Sequence, residues 1–261
     1  MIDKAFLHFK GVGKKNLEKL ESAGFDNWSK VISKQEEMPF SKNFSKKLIS
    51  EAEENSKALK REDIYFFAKN LLSQDKWRLL ERYFDKITFL DIETEGLDSN
   101  SGISLIVCLH EGKLYRFLRN ENLDEFLELL PKIQLLSTFN GSSFDLPVIQ
   151  NFFRIGEISC PHVDLRWVCY HLGYKGGLKS IEYKIGIQRP YDLKGVDGFE
   201  AVILWDNWNR YGDEISKNRL IRYCAADVVS LKLLTEKILI EKGINDIKNS
   251  SNDIWKILDE V

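Results

Sequence analysis

Residues 87–99 read ITFLDIETEGLDS, an apolar run of strand type that carries two acids one residue apart, Asp91 and Glu93. Side chains at i and i+2 of a strand leave the same face, so both carboxylates converge just beyond its C-terminal end. Ligands of mixed α/β sheets tend to bind at that end. Alone, the pair is also what a strand end turning into solvent looks like, in a chain of which 30% of residues are charged.

Outward from this strand, GISLIVCLH (102–110) and KLYRFLR (113–119) continue the β pattern, with turn-like breaks at 96–102 and 111–112. A three-stranded meander is predicted. A helix near 122–130, a strand in IQLLSTF (133–139), a helix from about 144, a short strand in PHVDL (161–165) and mostly helix thereafter complete the pattern. Strands first, then alternation with helices, predict an α/β fold, a mixed sheet flanked by helices. Ahead of it, Leu17, Leu20, Phe25, Trp28, Val31, Phe44, Leu48 and Ala52 recur at helical spacing in a segment rich in Lys, Glu and Ser. The expected organisation is a small helical segment over 1–62, a linking helix over 63–85, the α/β domain over 86–240 and a helical tail over 241–261.

A chain of 261 residues that is 43% hydrophobic accommodates one medium domain and a small one. No apolar stretch approaches the roughly 18 residues of a membrane span, and MIDKAFLHFKGVGKK lacks the order of a signal peptide, so a cytoplasmic protein without a membrane partner is expected. With a formal net charge of −2, any nucleic-acid contact has to come from a local patch. Cys108, Cys160, Cys169 and Cys224 sit singly, which indicates reduced thiols and no disulfide framework. Cys160, His162, Cys169 and His171 are zinc-capable types, but on a helix the last two point about 200° apart, so structural zinc is not expected.

A second apolar strand ends in the same manner, in LLSTFNGSSFDLPVIQNFF (135–153). Asn140-Gly141 makes a turn, and Asp145 opens a helix, where the dipole favours any carboxylate. In RYCAADVVSLKLL (222–234), Tyr223 and Asp227 share one helical face among the core-type residues Val228, Leu231 and Leu234. A core-side aspartate needs a salt-bridge partner or a metal. Gathering all four carboxylates costs mutual repulsion unless divalent cations neutralise them, and oxygen ligands select Mg²⁺ or Mn²⁺.

Together the three segments resemble the motifs of the DEDD superfamily of 3′→5′ exonucleases, which has a ribonuclease H-like fold, in its tyrosine-bearing subclass. NGSSFD (140–145) is most similar to the proofreading domain of family B DNA polymerases. FLHFKGVGKKNLEKLESAGFDNW (6–28), KWRLLERYFDKITFLDIETEGL (76–97), HVDLRW (162–167) and LKSIEYKIGIQRPYDLKGVDG (178–198) extend the resemblance to the bacterial YprB-type group. That group joins an N-terminal helix-hairpin-helix-like segment to the exonuclease domain. The resemblance implies that Asp91, Glu93, Asp145 and Asp227 hold two divalent ions, with Asp91 between them. It implies that Tyr223 orients a water for in-line attack on the terminal phosphodiester of a single-stranded DNA or RNA 3′ end, releasing a 5′-mononucleotide. Thr94 and Leu97 match positions that hold the 3′ end and wedge against its base, and Asn140 matches a substrate-side position.

Two residues depart from the pattern: Glu95, where relatives often have threonine, and Cys224, where they often have asparagine. Asp164 is a fifth acid near the site, read as a supporting or structural residue rather than a ligand. In KGVGKK (10–15), Gly11 and Gly13 with Lys14 and Lys15 have the form of a phosphate grip at a helix N-terminus, and equally that of a tight turn between packed helices. Lys175, Lys179 and Lys184 have the form of a basic edge near the catalytic cleft and equally that of a solvated helix face, while Trp205 and Trp208 read as core residues rather than base-stacking ones. The rival functions are a structure-selective endonuclease, a catalytically weak or inactive nucleic-acid-binding adaptor, and a helical interaction protein in which the acids fall together by chance.

Overall fold

The computed structural model describes residues 1–96, 101–193, 195–244, 246–247, 250 and 252–260. The chain forms two compact units, Met1–Arg82 and Tyr83–Val261.

The first unit is helical: α1 (Lys14–Ser22), α2 (Trp28–Ser33), α3 (Lys42–Lys60), α4 (Ile64–Asn70) and α5 (Trp77–Arg82). Side-chain caps set two of the starts, with Asn27 accepting from Lys30 N at 3.0 Å and Asp63 from Phe66 N at 2.9 Å. Trp28 anchors the core. Its ring stacks 6.1 Å from Phe67, and its Nε1 donates to Ala5 O at 2.7 Å, so the indole is buried with its one polar group satisfied. Gly11 has φ of 88°, and a Cβ there would meet the Phe44 ring at 3.0 Å, so the turn before α1 requires glycine. The span expected as one linking helix is divided into α4 and α5.

The second unit contains β1 (Ile87–Thr94), β2 (Ile103–His110), β3 (Lys113–Leu118), α6 (Phe126–Leu129), β4 (Leu135–Thr138), α7 (Asp145–Phe153), β5 (His162–Asp164), α8 (Leu165–His171), α9 (Leu178–Ile185), α10 (Gly198–Tyr211) and α11 (Glu214–Glu241). Its sheet has the order β3-β2-β1-β4-β5. The meander β1-β2-β3 is antiparallel, whereas β4 lies parallel to β1 and β5 parallel to β4. This is the mixed, helix-flanked α/β sheet that the strand pattern predicts. Near 122–130 the expected helix is broken into a 3₁₀ turn, the short α6 and a second 3₁₀ turn containing Pro131, whose missing N–H interrupts the helical ladder.

The faces of β1 have different fates. Leu90 and Ile92 join a core with Phe126, Val148 and Ile149 from α6 and α7. The alternate residues Asp91 and Glu93 leave the other face, where α11 packs on β1 and β2. Asp213 starts α11 by accepting from Ile215 N at 3.1 Å, and the 28-residue helix then runs about 42 Å. Everything from Tyr223 to Leu231 on it is buried. Glu236, also buried, is paired with Lys232 and accepts from Ser250 N at 2.9 Å and Oγ at 2.7 Å. The C-terminal 3₁₀ helix Asn252–Glu260 is held by Arg222, which bridges Asp192 at 2.7 Å and Asp259 at 2.8 Å. Among the described residues no helix is long and apolar enough to cross a membrane.

Candidate functional site

At the C-terminal end of the central strand β1 the pairing with β2 shifts between Glu93 and Thr94. Such bulges re-aim side chains and recur beside active sites. Asp91, Glu93 and Cys224 bring their ligand-type atoms within 4.8 Å of one another. The Cys224 thiol lies 3.5 Å from Asp91 Oδ2 and 3.6 Å from Asp91 O. Burial and the neighbouring acids push that thiol far above its ordinary range, so it stays protonated and acts as a weak donor to Asp91.

Asp145 arrives from the other parallel strand end. The turn between β4 and α7 puts Asn140 at φ of 70°, and a Cβ at Gly141 would lie 2.0 Å from Thr138 Oγ1, so only glycine fits. Asp145, 3% exposed, then opens α7 and is linked by a backbone hydrogen bond to Ile92, between the two β1 acids. Burial pushes its carboxyl up to about 7, opposed by backbone hydrogen bonds and reinforced by Asp164 and Asp227. Asp227 and Tyr223, one turn apart on α11, complete the group.

Among the described residues, two cations meet these acids. Arg189, with a side chain 9% exposed, pairs with Asp227 through Nη2. It also grips Glu182 of α9, Nε to Oε2 at 2.9 Å and Nη2 to Oε1 at 2.6 Å. Its Nη1 is buried with no hydrogen-bond partner among the described residues. Lys179 Nζ donates to Tyr223 Oη at 2.9 Å and sits 4.6 Å from the ring centre. Even so, burial and the charges of Asp227, Asp145 and Glu93 hold the Asp91 carboxyl well above the usual range. Glu93 is raised too, by burial first and Asp227 next, with relief from Lys179 and Arg189. Arg189 and Lys179 therefore leave the site short of positive charge. The carboxylate oxygens in that condition, with the Cys224 thiol beside Asp91 and Glu93, fit a divalent cation. Tyr223 is kept a neutral phenol by burial and by Asp227, Glu93 and Asp91.

Of the residues singled out in the sequence, Asp91, Glu93, Asp145, Tyr223 and Asp227 are thus together. Thr94 adjoins them, buried, its hydroxyl donating to Gly96 O at 2.7 Å. Leu97 lies outside the described residues. Glu95 turns to an ion pair with Arg119 at 2.8 Å, which takes up the extra charge. Asp164 is occupied as a hub: it accepts from Asn140 N at 2.8 Å, Ser142 N at 3.1 Å, Ser142 Oγ and Arg166 N at 3.0 Å. Those bonds hold the turn that leads to Asp145 and start α8. His162 is engaged by Thr138 Oγ1 at 2.9 Å. Gly11, Gly13, Lys14 and Lys15 belong to the first unit, where both glutamate oxygens of Glu51 accept from Lys10 N at 2.9 and 3.1 Å.

The Arg189–Glu182 pair was not anticipated. A signal existed: Glu182 stands four residues after Leu178 and three before Ile185, on the apolar stripe of α9, where a carboxylate requires a partner.

Among solved structures, that of the family B DNA polymerase from the hyperthermophilic archaeon Pyrobaculum calidifontis is similar over 59% of this chain and 24% of that one, at 15% identity and a TM-score of 0.48. No curated protein matches the chain. Residues 88–239, from β1 through nearly all of α11, match the family model RNase_H_2, described as RNase_H superfamily. Because the match spans more than half of the residues, the chain belongs to the RNase_H superfamily.

Proposed function

We propose that this protein is a metal-dependent 3′→5′ exonuclease that hydrolyses phosphodiester bonds at single-stranded DNA or RNA ends. The carrying observation is the convergence of the half-buried Asp91 with the buried Glu93, Asp145 and Asp227 beside the phenol of Tyr223 at the end of β1. In this reading the four carboxylates hold two Mg²⁺ or Mn²⁺ ions. When bound, such ions activate water and stabilise the departing 3′ oxygen. Lys179 donates to the Tyr223 oxygen, so the phenol's own proton is directed elsewhere and is free to orient the attacking water. Thr94, its hydroxyl proton committed to Gly96 O, keeps lone pairs with which to accept from a terminal 3′ hydroxyl. Family membership supports a nuclease; the tyrosine beside the acids supports the end-directed form over an endonuclease.

The test compares 5′-labelled single-stranded DNA and RNA with Mg²⁺ or Mn²⁺, using Asp91→Ala as control. Metal-dependent ladders shortening from the 3′ end, absent in the control, are expected. Internal cleavage, or activity surviving Asp91→Ala, overturns the reading.

One observation favours a second reading, the weakly active adaptor: Arg189 engages an Asp227 oxygen that an ion needs. Calorimetric titration with Mn²⁺ separates the two. Absence of metal binding selects the adaptor.

The N-terminal unit completes the proposal as a sequence-independent grip on the phosphate backbone. Lys14 and Lys15 are exposed in the first turn of α1, and its N-cap Gly13 makes no side-chain cap.

A further inference from the structure

Beside the turn that leads to Asp145 lies an open cavity of about 770 Å³, of the size that holds a small organic ligand. Asn140 borders it on one side, Arg166, Trp167 and Tyr170 of α8 line its wall, and Lys175 stands on the loop that leads to α9. We infer that this cavity is a subsite for single-stranded nucleic acid, in which Trp167 and Tyr170 stack on unpaired bases while Arg166 and Lys175 meet the phosphates.

Three observations carry the inference. First, the rings are displayed. Of the chain's six tryptophans Trp167 alone is exposed, at 42%, and Tyr170 beside it is 49% exposed, the two ring centres 6.0 Å apart. Trp28, Trp77 and Trp205 are buried, so the chain has no difficulty in covering indoles elsewhere. Exposed aromatic faces are what base stacking uses, and every base offers a π-face, so the subsite is tolerant of sequence.

Second, the charge is one-sided. Each ring has its own cation: Arg166 lies 5.8 Å from the Trp167 ring centre, and Lys175 lies 5.7 Å from that of Tyr170. Among the described residues no carboxylate lines the cavity, in a chain where acids outnumber Lys and Arg, 40 to 38. A chain with slight net negative charge meets a polyanion only through such local patches. A duplex keeps its bases stacked on one another, so the rings select unpaired strands.

Third, the cavity is tied to the acids. Arg166 donates to Asn140 Oδ1, and Asp164 joins the backbone of Arg166 to that of Asn140 and Ser142. The same turn continues directly into Asp145. A strand seated on the rings is therefore led past Asn140 to the carboxylates. The identity of the occupant rests on the nuclease reading above; the aromatic and cationic lining does not.

The experiment uses the full chain with Asp91→Ala to prevent degradation, and fluorescence anisotropy of a fluorescein-labelled 15-mer of deoxythymidine, the matching oligouridine and a blunt duplex. Trp167→Ala with Tyr170→Ala is expected to weaken single-strand binding roughly 10- to 100-fold. Trp167→Phe should restore most of the loss, and melting temperature should stay within a few degrees because both rings are at the surface. In the chain with Asp91 intact, the double variant should turn over thymidine 5′-p-nitrophenyl phosphate as the unsubstituted chain does. Unchanged affinity, or equal affinity for duplex and single strand, overturns the subsite. Loss of binding in the double variant of a chain that cleaves nothing upholds the subsite and sinks the exonuclease instead.

Discussion

The acid cluster and the aromatic cavity share the turn between β4 and α7, yet they are built in opposite ways. At the cluster, carboxylates are buried together, and raised pKa values at Asp91, Glu93 and Asp145 record what that gathering costs. At the cavity, apolar rings are left in water with a cation over each. Each region violates the ordinary preference of its own residue type. Buried acids await positive charge, and exposed rings await a flat apolar partner. The first arrangement suits bond breaking and the second suits grip. Rate and affinity should therefore separate by mutation.

The largest expected effect is at the cluster. Asp91→Ala, or Asp227→Asn, should reduce cleavage to below roughly a thousandth of the starting rate, with single-strand binding retained. Because Asp91→Ala relieves repulsion, the metal-free chain should melt no lower than before. Parallel nuclease assays and melts in EDTA check both halves. A variant that keeps near-normal turnover removes the two-ion mechanism.

Tyr223→Phe comes next. It deletes the hydroxyl that accepts from Lys179 while leaving the ring in place, and should slow cleavage by about 10²-fold without abolishing it. Single-turnover rates at saturating substrate provide the measurement. No change would make Tyr223 a packing residue.

A third, smaller effect is on stability against pH. The folded Asp145 carboxyl titrates at about 7 against an ordinary 3.8, so between about 4 and about 7 the native state holds a proton that the unfolded chain has released. Stability of the metal-free chain should accordingly fall as pH rises through that window, with Asp91 and Glu93 adding in the same direction. Melts at pH 5 and pH 8 should show the drop, Asp145→Asn should flatten it, and Mg²⁺ should reverse it. A stability that climbs toward pH 8 without metal would mean the acids are already compensated.

The smallest effect concerns the N-terminal unit. Replacing Lys14 and Lys15 by alanine, in an Asp91→Ala background, should lower the log–log salt slope of binding by roughly 0.7 per lost contact on single strands. Hydrolysis of a very short oligonucleotide should be untouched. Identical slopes would assign the grip to the cavity alone and make the Gly11-Val12-Gly13 turn a structural corner.

Much of the second unit was legible in the linear chain. The alternation in β1 sends Asp91 and Glu93 to one face, and the four-residue spacing of Tyr223 and Asp227 does the same on α11. Strand-to-helix alternation predicts the mixed sheet. All of these are local periodicities, and a local periodicity determines the direction in which a side chain leaves the backbone. It does not name the partner. Arg189 reaches Asp227 across 38 residues and Lys179 reaches Tyr223 across 44, so their roles depend on how α9 and its following loop are laid against α11. Asp164, an unremarkable acid in HVDLRW, becomes the hub of two loops only because β5 lies beside β4. The cavity is only partly written in one dimension: Lys175 marks a basic edge and Asn140 a border, but Trp167 on α8 reads like any half-buried helix residue until the surroundings are folded and leave its ring uncovered. Direction was written in the order of the residues; proximity, and with it charge compensation and exposure, was decided by the packing of elements far apart in the chain.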